Sequence, residues 1–131
     1  MEKLLTKSIL VTGATGFIGS RLVNSLIDKG YNVTSLIRKG KKGNLKSKII
    51  YGDLTDEKID FKDNQFDCIF HLASHTPLEK NKKILEKVNL EGTKKLFKVN
   101  VTKINIINLY DIYHHLLIFY FHLLSCCKIR F

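Results

Sequence analysis

The stretch "VTGATGFIGSRL", residues 11–22, constrains this chain more than any other. Its glycines fall three apart, at Gly13, Gly16 and Gly19. Before them, Ile9, Leu10 and Val11 make a short apolar run, the pattern of a strand over residues 8–12 buried on both faces. From Phe17 the period changes. Phe17, Ile18, Leu22, Val23, Leu26 and Ile27 recur at helical spacing, and Gly30 stands where a helix C-cap is expected. "YNVTSLI" then reads as a second strand. The glycines therefore occupy a strand-to-helix turn within a β-α-β unit, the context that gives a glycine-rich string its meaning.

Each glycine has a physical reason to be there. Gly13 permits the tight turn off the strand, Gly16 lets backbone approach a ligand, and Gly19 lets the helix pack closely. The N–H groups of the helix's first turn then face an anion favoured by the helix dipole, and a pyrophosphate fits that place. The second strand ends in "SLIRKGKK". An acidic residue there would suit the ribose of NAD. This chain has Arg38, followed by Lys39, Lys41 and Lys42, and a guanidinium suits a 2′-phosphate through charge-assisted bonds. NADP is the preferred cofactor and NAD the alternative; a solvated basic loop is the competing reading of the run.

The G-x-x-G-x-x-G spacing of "TGATGFIGSRL" resembles the glycine motif of the extended short-chain dehydrogenases/reductases, the NAD-dependent epimerase/dehydratase family. "YGDLTD" (51–56), "CIFHLAS" (68–74) and "VNLEGTKKL" (88–96) follow in the order and spacing of that family, so the likeness covers about residues 7–100. The dihydroflavonol-reductase-like and sugar-nucleotide-epimerase-like branches fit equally. The resemblance implies an α/β fold of Rossmann type, a doubly wound, mostly parallel sheet, cut short after about the fifth strand. It also implies a set of cofactor contacts: Gly13, Thr15, Gly16, Phe17, Ile18 and Gly19 in the turn; Asp53, at the adenine amino group, with Leu54; and Leu72, Ala73 and Ser74 at the exit of the fourth strand. Third and fourth strands are expected near Ile49 to Tyr51 and Cys68 to Leu72, and a long helix over about residues 79–99. His71 reads as a packed strand-end residue. His75 and Thr76 face a substrate or form a plain loop.

The length of 131 residues suits one small domain and leaves no room for a separate substrate lobe. A formal net charge of +10 raises the question of nucleic acid, but the lysines are dispersed and no zinc spacing or recognition helix accompanies them, so no nucleic-acid partner is expected. Cys68 lies in an apolar run, and Cys126 with Cys127 matches no metal spacing, so no metal site is expected. Nothing calls for an oxidising compartment and no signal-like run precedes the glycines, so a cytoplasmic protein is expected.

The chemistry of the family needs a Tyr with a Lys four residues later, the Lys lowering the phenol's pKa for proton exchange. Four residues beyond Tyr31, Tyr51, Tyr110, Tyr113 and Tyr120 stand Ser35, Thr55, His114, Leu117 and Leu124. No catalytic residue is therefore assigned. Asn89 occupies the family's conserved-asparagine position and, without Tyr and Lys, is read as structural. Residues 1–103 are taken as the NAD(P)-binding portion and 104–131 as an atypical apolar tail, expected to stem from a frameshift or early stop. The function expected is that of a dinucleotide-binding part of an epimerase/dehydratase or reductase, without turnover. The alternative is a small non-enzymatic protein that reuses the fold and is tethered to a membrane or partner by that tail. A membrane role is disfavoured, because Asp111, His114, His115 and His122 interrupt a window that would need ~20 apolar residues.

Overall fold

The computed structural model describes residues 7–41, 46–61, 64–75, 80–96, 98–99 and 104–106. Five parallel strands form one sheet: β1 (Ser8–Thr12), β2 (Asn32–Ile37), β3 (Lys48–Tyr51), β4 (Cys68–His71) and β5 (Ile104–Ile106), in spatial order β3-β2-β1-β4-β5. The first strand lies at the centre; the sheet winds outward to β3, then crosses back to place β4 on the other side of β1. Ile9 of β1 lies opposite Val33 on one neighbour and Cys68 on the other. This reversal opens a crevice outside the carboxyl ends of β1 and β4, where open α/β sheets bind ligands.

Alternation along the strands fills both faces of the sheet. Ile9, Val11, Val33, Cys68 and Phe70 join Val23 and Leu26 of helix α1 (Phe17–Asp28) in one core. Leu10, Leu36, Ile50 and Ile69 meet Leu54, Phe66 and Leu96 in the other. A strand apolar on both faces is what a parallel sheet covered by helices requires. Helix α1 ends in a Schellman motif, with the Gly30 N–H donating to the Ile27 carbonyl at 2.8 Å and the Tyr31 N–H to the Leu26 carbonyl at 3.1 Å. Gly30 has φ +83°, as that motif asks of its terminal residue.

Three details depart from the sequence reading. Phe17, grouped there with the apolar face of α1, is 76% exposed, and its ring lies 3.7 Å beneath the Arg21 guanidinium. It opens the helix, ahead of Val23 and Leu26, through which α1 joins the core. The helix expected over 79–99 is found over 82–96, as α2 (Lys82–Leu85), a π-helical segment (Glu86–Glu91) and α3 (Gly92–Leu96). At the join, the Gly92 N–H donates to the Lys87 carbonyl, one residue further back than in an α-helix. The fourth strand ends at His71, one residue early. Lys42, Thr76 and, beyond residue 106, the tail expected over 104–131 lie outside the described residues.

Candidate functional site

A cleft of about 490 Å³ opens at the carboxyl ends of β1, β2 and β4. Thr12, Gly13, Thr15 and Gly16 form its floor, Leu36, Ile37 and Arg38 one wall, and Gly52 to Thr55 the end beside it. Leu72, Ala73, Ser74 and His75 form the opposite wall, with Ile84 and Val88 reaching over from the helix. Of the residues proposed from sequence, this cleft gathers Gly13, Thr15, Gly16, Arg38, Asp53, Leu54, Leu72, Ala73 and Ser74. Phe17, Ile18 and Gly19 belong to the first turn of α1 behind the floor and do not line it.

The three glycines divide the work. Gly13 has φ +68°, and a Cβ there would sit 2.7 Å from the Ala73 nitrogen, so the turn presses against the exit of β4. A Cβ on Gly19 would lie 2.1 Å from the Gly13 carbonyl oxygen. Both positions are fixed by backbone packing. Gly16 is exposed, with φ −75°, and its added Cβ would meet only the Gly13 oxygen, at 3.2 Å. Nothing in the fold itself demands a glycine there, and its open side faces the cleft. Gly16 is also the N-cap of α1, makes no side-chain cap bond, and is followed by no acidic residue in the first turn. The positive end of a twelve-residue helix is therefore left without a compensating side chain beside the cleft.

On the opposite wall, the Ser74 hydroxyl is buried and has no hydrogen-bond partner among the described residues. A buried hydroxyl without a partner costs about 1–3 kcal/mol. An incoming polar group would remove that cost.

A chain of bonds links the end of β4 to β1 and the helix. Thr93 Oγ1 donates to the Asn89 carbonyl at 2.5 Å, so it accepts from His71 Nε2 at 2.9 Å. His71 Nδ1 is then the acceptor for Thr12 Oγ1 at 2.6 Å, and Thr12 accepts in turn from the Ala73 N–H at 3.3 Å. His71, which sequence placed as a packed strand-end residue, is 4% exposed, and burial pushes its pKa down to about 4. The Asn89 side chain pairs with both backbone groups of His75, at 2.8 and 3.0 Å. It pins the loop after β4, the structural part read for it from sequence. Cys68 is buried in the core, as expected.

Arg38 directly follows β2 and is exposed. With Lys39, Lys41, Asp53 and Asp56 it borders a second hollow of about 300 Å³ that adjoins the cleft. Burial raises the Asp53 pKa, but bonds from the Thr55 N–H and hydroxyl, the nearby Arg38 and His75 outweigh it and hold the carboxyl below its usual value. Asp53 is thus an anion at neutral pH, ready to accept. The residues fit a dinucleotide: a bare helix end for a pyrophosphate, an anionic carboxylate and an unpartnered hydroxyl along the cleft, and a basic rim. Among the described residues no helix is long and apolar enough to cross a membrane.

Comparison with known proteins agrees with this geometry. The profile of the NAD dependent epimerase/dehydratase family matches residues 9–110. A putative dihydroflavonol 4-reductase of Synechocystis sp. is 34% identical over 91 residues, covering 66% of this chain and 26% of the relative. The UDP-glucose 4-epimerase of Thermotoga maritima, solved with UDP-glucose, superposes with a TM-score of 0.62 at 29% identity, over 76% of this chain and 37% of that one. A short-chain dehydrogenase of Leptospira borgpetersenii with bound NAD+ gives a TM-score of 0.58 at 26% identity, over 71% and 44%. The chain thus spans less than half the length of each of these relatives. From the glycine turn through β4 and the helix that follows, this chain belongs to the NAD dependent epimerase/dehydratase family.

Proposed function

We propose that residues 1–103 form a dinucleotide-binding unit that takes NADP in preference to NAD and, as this chain stands, holds it without turnover. The observation that carries this reading is the pairing of the bare N-terminus of α1 with the unpartnered Ser74 hydroxyl across one cleft. In it, the pyrophosphate rests on the first-turn N–H groups at Gly16. Ser74 and Ala73 meet a ribose, and Asp53 with Leu54 holds the adenine. The bound nicotinamide would supply hydride transfer. This chain's residues supply binding, orientation and a fixed wall, because no tyrosine in the sequence has a lysine four residues on. Oxidoreductase or epimerase/dehydratase activity is the reading for the family at large.

Preference for NADP rests on Arg38, with Lys39 and Lys41 beside it at the rim. Calorimetric titration with NADPH and NADH tests both parts. The wild-type chain is expected to bind NADPH more tightly. Arg38→Asp is expected to shift the ratio of the two dissociation constants toward NADH by about ten- to a hundredfold, the worth of a charge-assisted bond lost. A ratio unchanged in the variant would make the basic run solvated surface. No binding of either dinucleotide would end the proposal.

A further inference from the structure

We propose that Lys95 is a positioning residue for the adenine end of the cleft, tying helix α3 to the turn at residues 53–56. The inference rests on the dinucleotide reading above and adds a residue to which the sequence reading gave no role.

The turn is closed from within. The Asp56 N–H donates to the Asp53 carbonyl at 2.9 Å, and the Asp53 N–H to Asp56 Oδ2 at 2.8 Å. Thr55 places both its N–H and its hydroxyl on Asp53 Oδ1, each at 2.8 Å. These bonds use the turn's side chains and leave the Leu54 and Asp56 carbonyls facing the helix. Lys95 Nζ donates to both, at 2.8 Å to Leu54 and to Asp56 as well. An ammonium carries three donors on one atom, so a single side chain can bridge two carbonyls of one turn.

Gly92, nearly one turn earlier, makes that reach possible. A Cβ on it would come within 2.9 Å of Leu54 Cβ, so the helix lies on the turn at backbone distance. Leu54 is 5% exposed there and sits in the same core as Leu96. Height and tilt of the turn are thereby set from the helix. Because Asp53 and Leu54 line the cleft, the same contacts set where an adenine can lie.

The test compares 5′-AMP, NADP+ and inorganic pyrophosphate as ligands of the full chain by calorimetry. Lys95→Met keeps the apolar stem and removes the donors. It is expected to weaken AMP and NADP+ by about tenfold each, the size of an ordinary coupling between a ligand and the contacts that position its site, and to leave pyrophosphate unchanged. Lys95→Arg, which restores donors, is expected to recover most of the loss. Should Lys95→Met fail to fold, Lys95→Gln, which keeps one donor group, is expected to fold and lose part of the AMP affinity. Undiminished AMP binding in the folded Met or Gln variant would overturn the proposal. So would an equal loss for pyrophosphate, which would mark general loosening. A wild-type chain that binds neither AMP nor NADP+ would instead bring down the dinucleotide reading, and this inference with it.

Discussion

Gly19→Ala is expected to lower the stability of the chain by about 3 kcal/mol or more, the upper range of overpacking a close contact. One methyl group is enough because its neighbour is backbone. The added carbon would lie 2.1 Å from the Gly13 oxygen and 2.8 Å from the Gly13 carbonyl carbon. Gly13 cannot retreat, since it already presses on the Leu72–Ala73 peptide, with its own hypothetical Cβ at 2.8 Å from the Leu72 carbonyl carbon. Helix α1 would have to lift from the sheet, opening the core in which Val23 and Leu26 meet Ile9 and Val11. Gly16→Ala meets only a 3.2 Å contact and is expected to stay close to wild type. Urea unfolding of the two variants checks this. Equal midpoints would mean that the spacing of helix and turn is not set by Gly19.

Acid should destabilise the fold through His71. Its pKa is about 4 in the folded chain, against 6.5 when solvated. Between those values the unfolded chain takes a proton that the folded chain refuses. Stability is then complete above pH 6.5 and falls as the pH drops toward 4, by about 3 kcal/mol in all. The bond chain gives the structural reason: Nε2 is already a donor to Thr93, so a new proton would arrive at Nδ1, where Thr12 now donates. Asp53 acts lower on the scale. Its carboxyl is held below the usual value, so its contribution is lost only as the pH falls through that lowered pKa. Unfolding free energies measured at pH 7.5 and 4.5 for wild type and His71→Gln isolate the histidine. Parallel pH dependence in the two proteins would contradict the assignment.

Much of this was legible in advance because local and tertiary demands coincide. The switch from the Ile9–Leu10–Val11 run to helical spacing fixed β1, the turn and α1, and Gly30 marked the helix end where the Schellman bonds form. Cys68 to Phe70 read as buried for the same reason. The period could not tell that Phe17 is exposed, since periodicity gives a face and not what stands opposite it. Nor could it show the π-helical segment. There the Thr93 hydroxyl takes the carbonyl of Asn89, four residues back, and Gly92 settles on Leu54, a contact made at long range. Lys95 was hidden by its type, because a lysine on a helix reads as solvated until the carbonyls it holds are in view.

Residue-resolved NMR of the 15N-labelled chain during titration with NADP+ reads dinucleotide binding at the glycine turn itself. Saturable amide shifts are expected at Gly13 and at residues 15–19, where the pyrophosphate meets the helix end, with further shifts at Arg38, Asp53 and residues 72–74. Gly16→Val, whose branched side chain would fill the open side of the floor, should remain folded and lose those shifts. Shifts confined to other parts of the surface, or a Gly16→Val variant that responds as the wild type does, would contradict binding there.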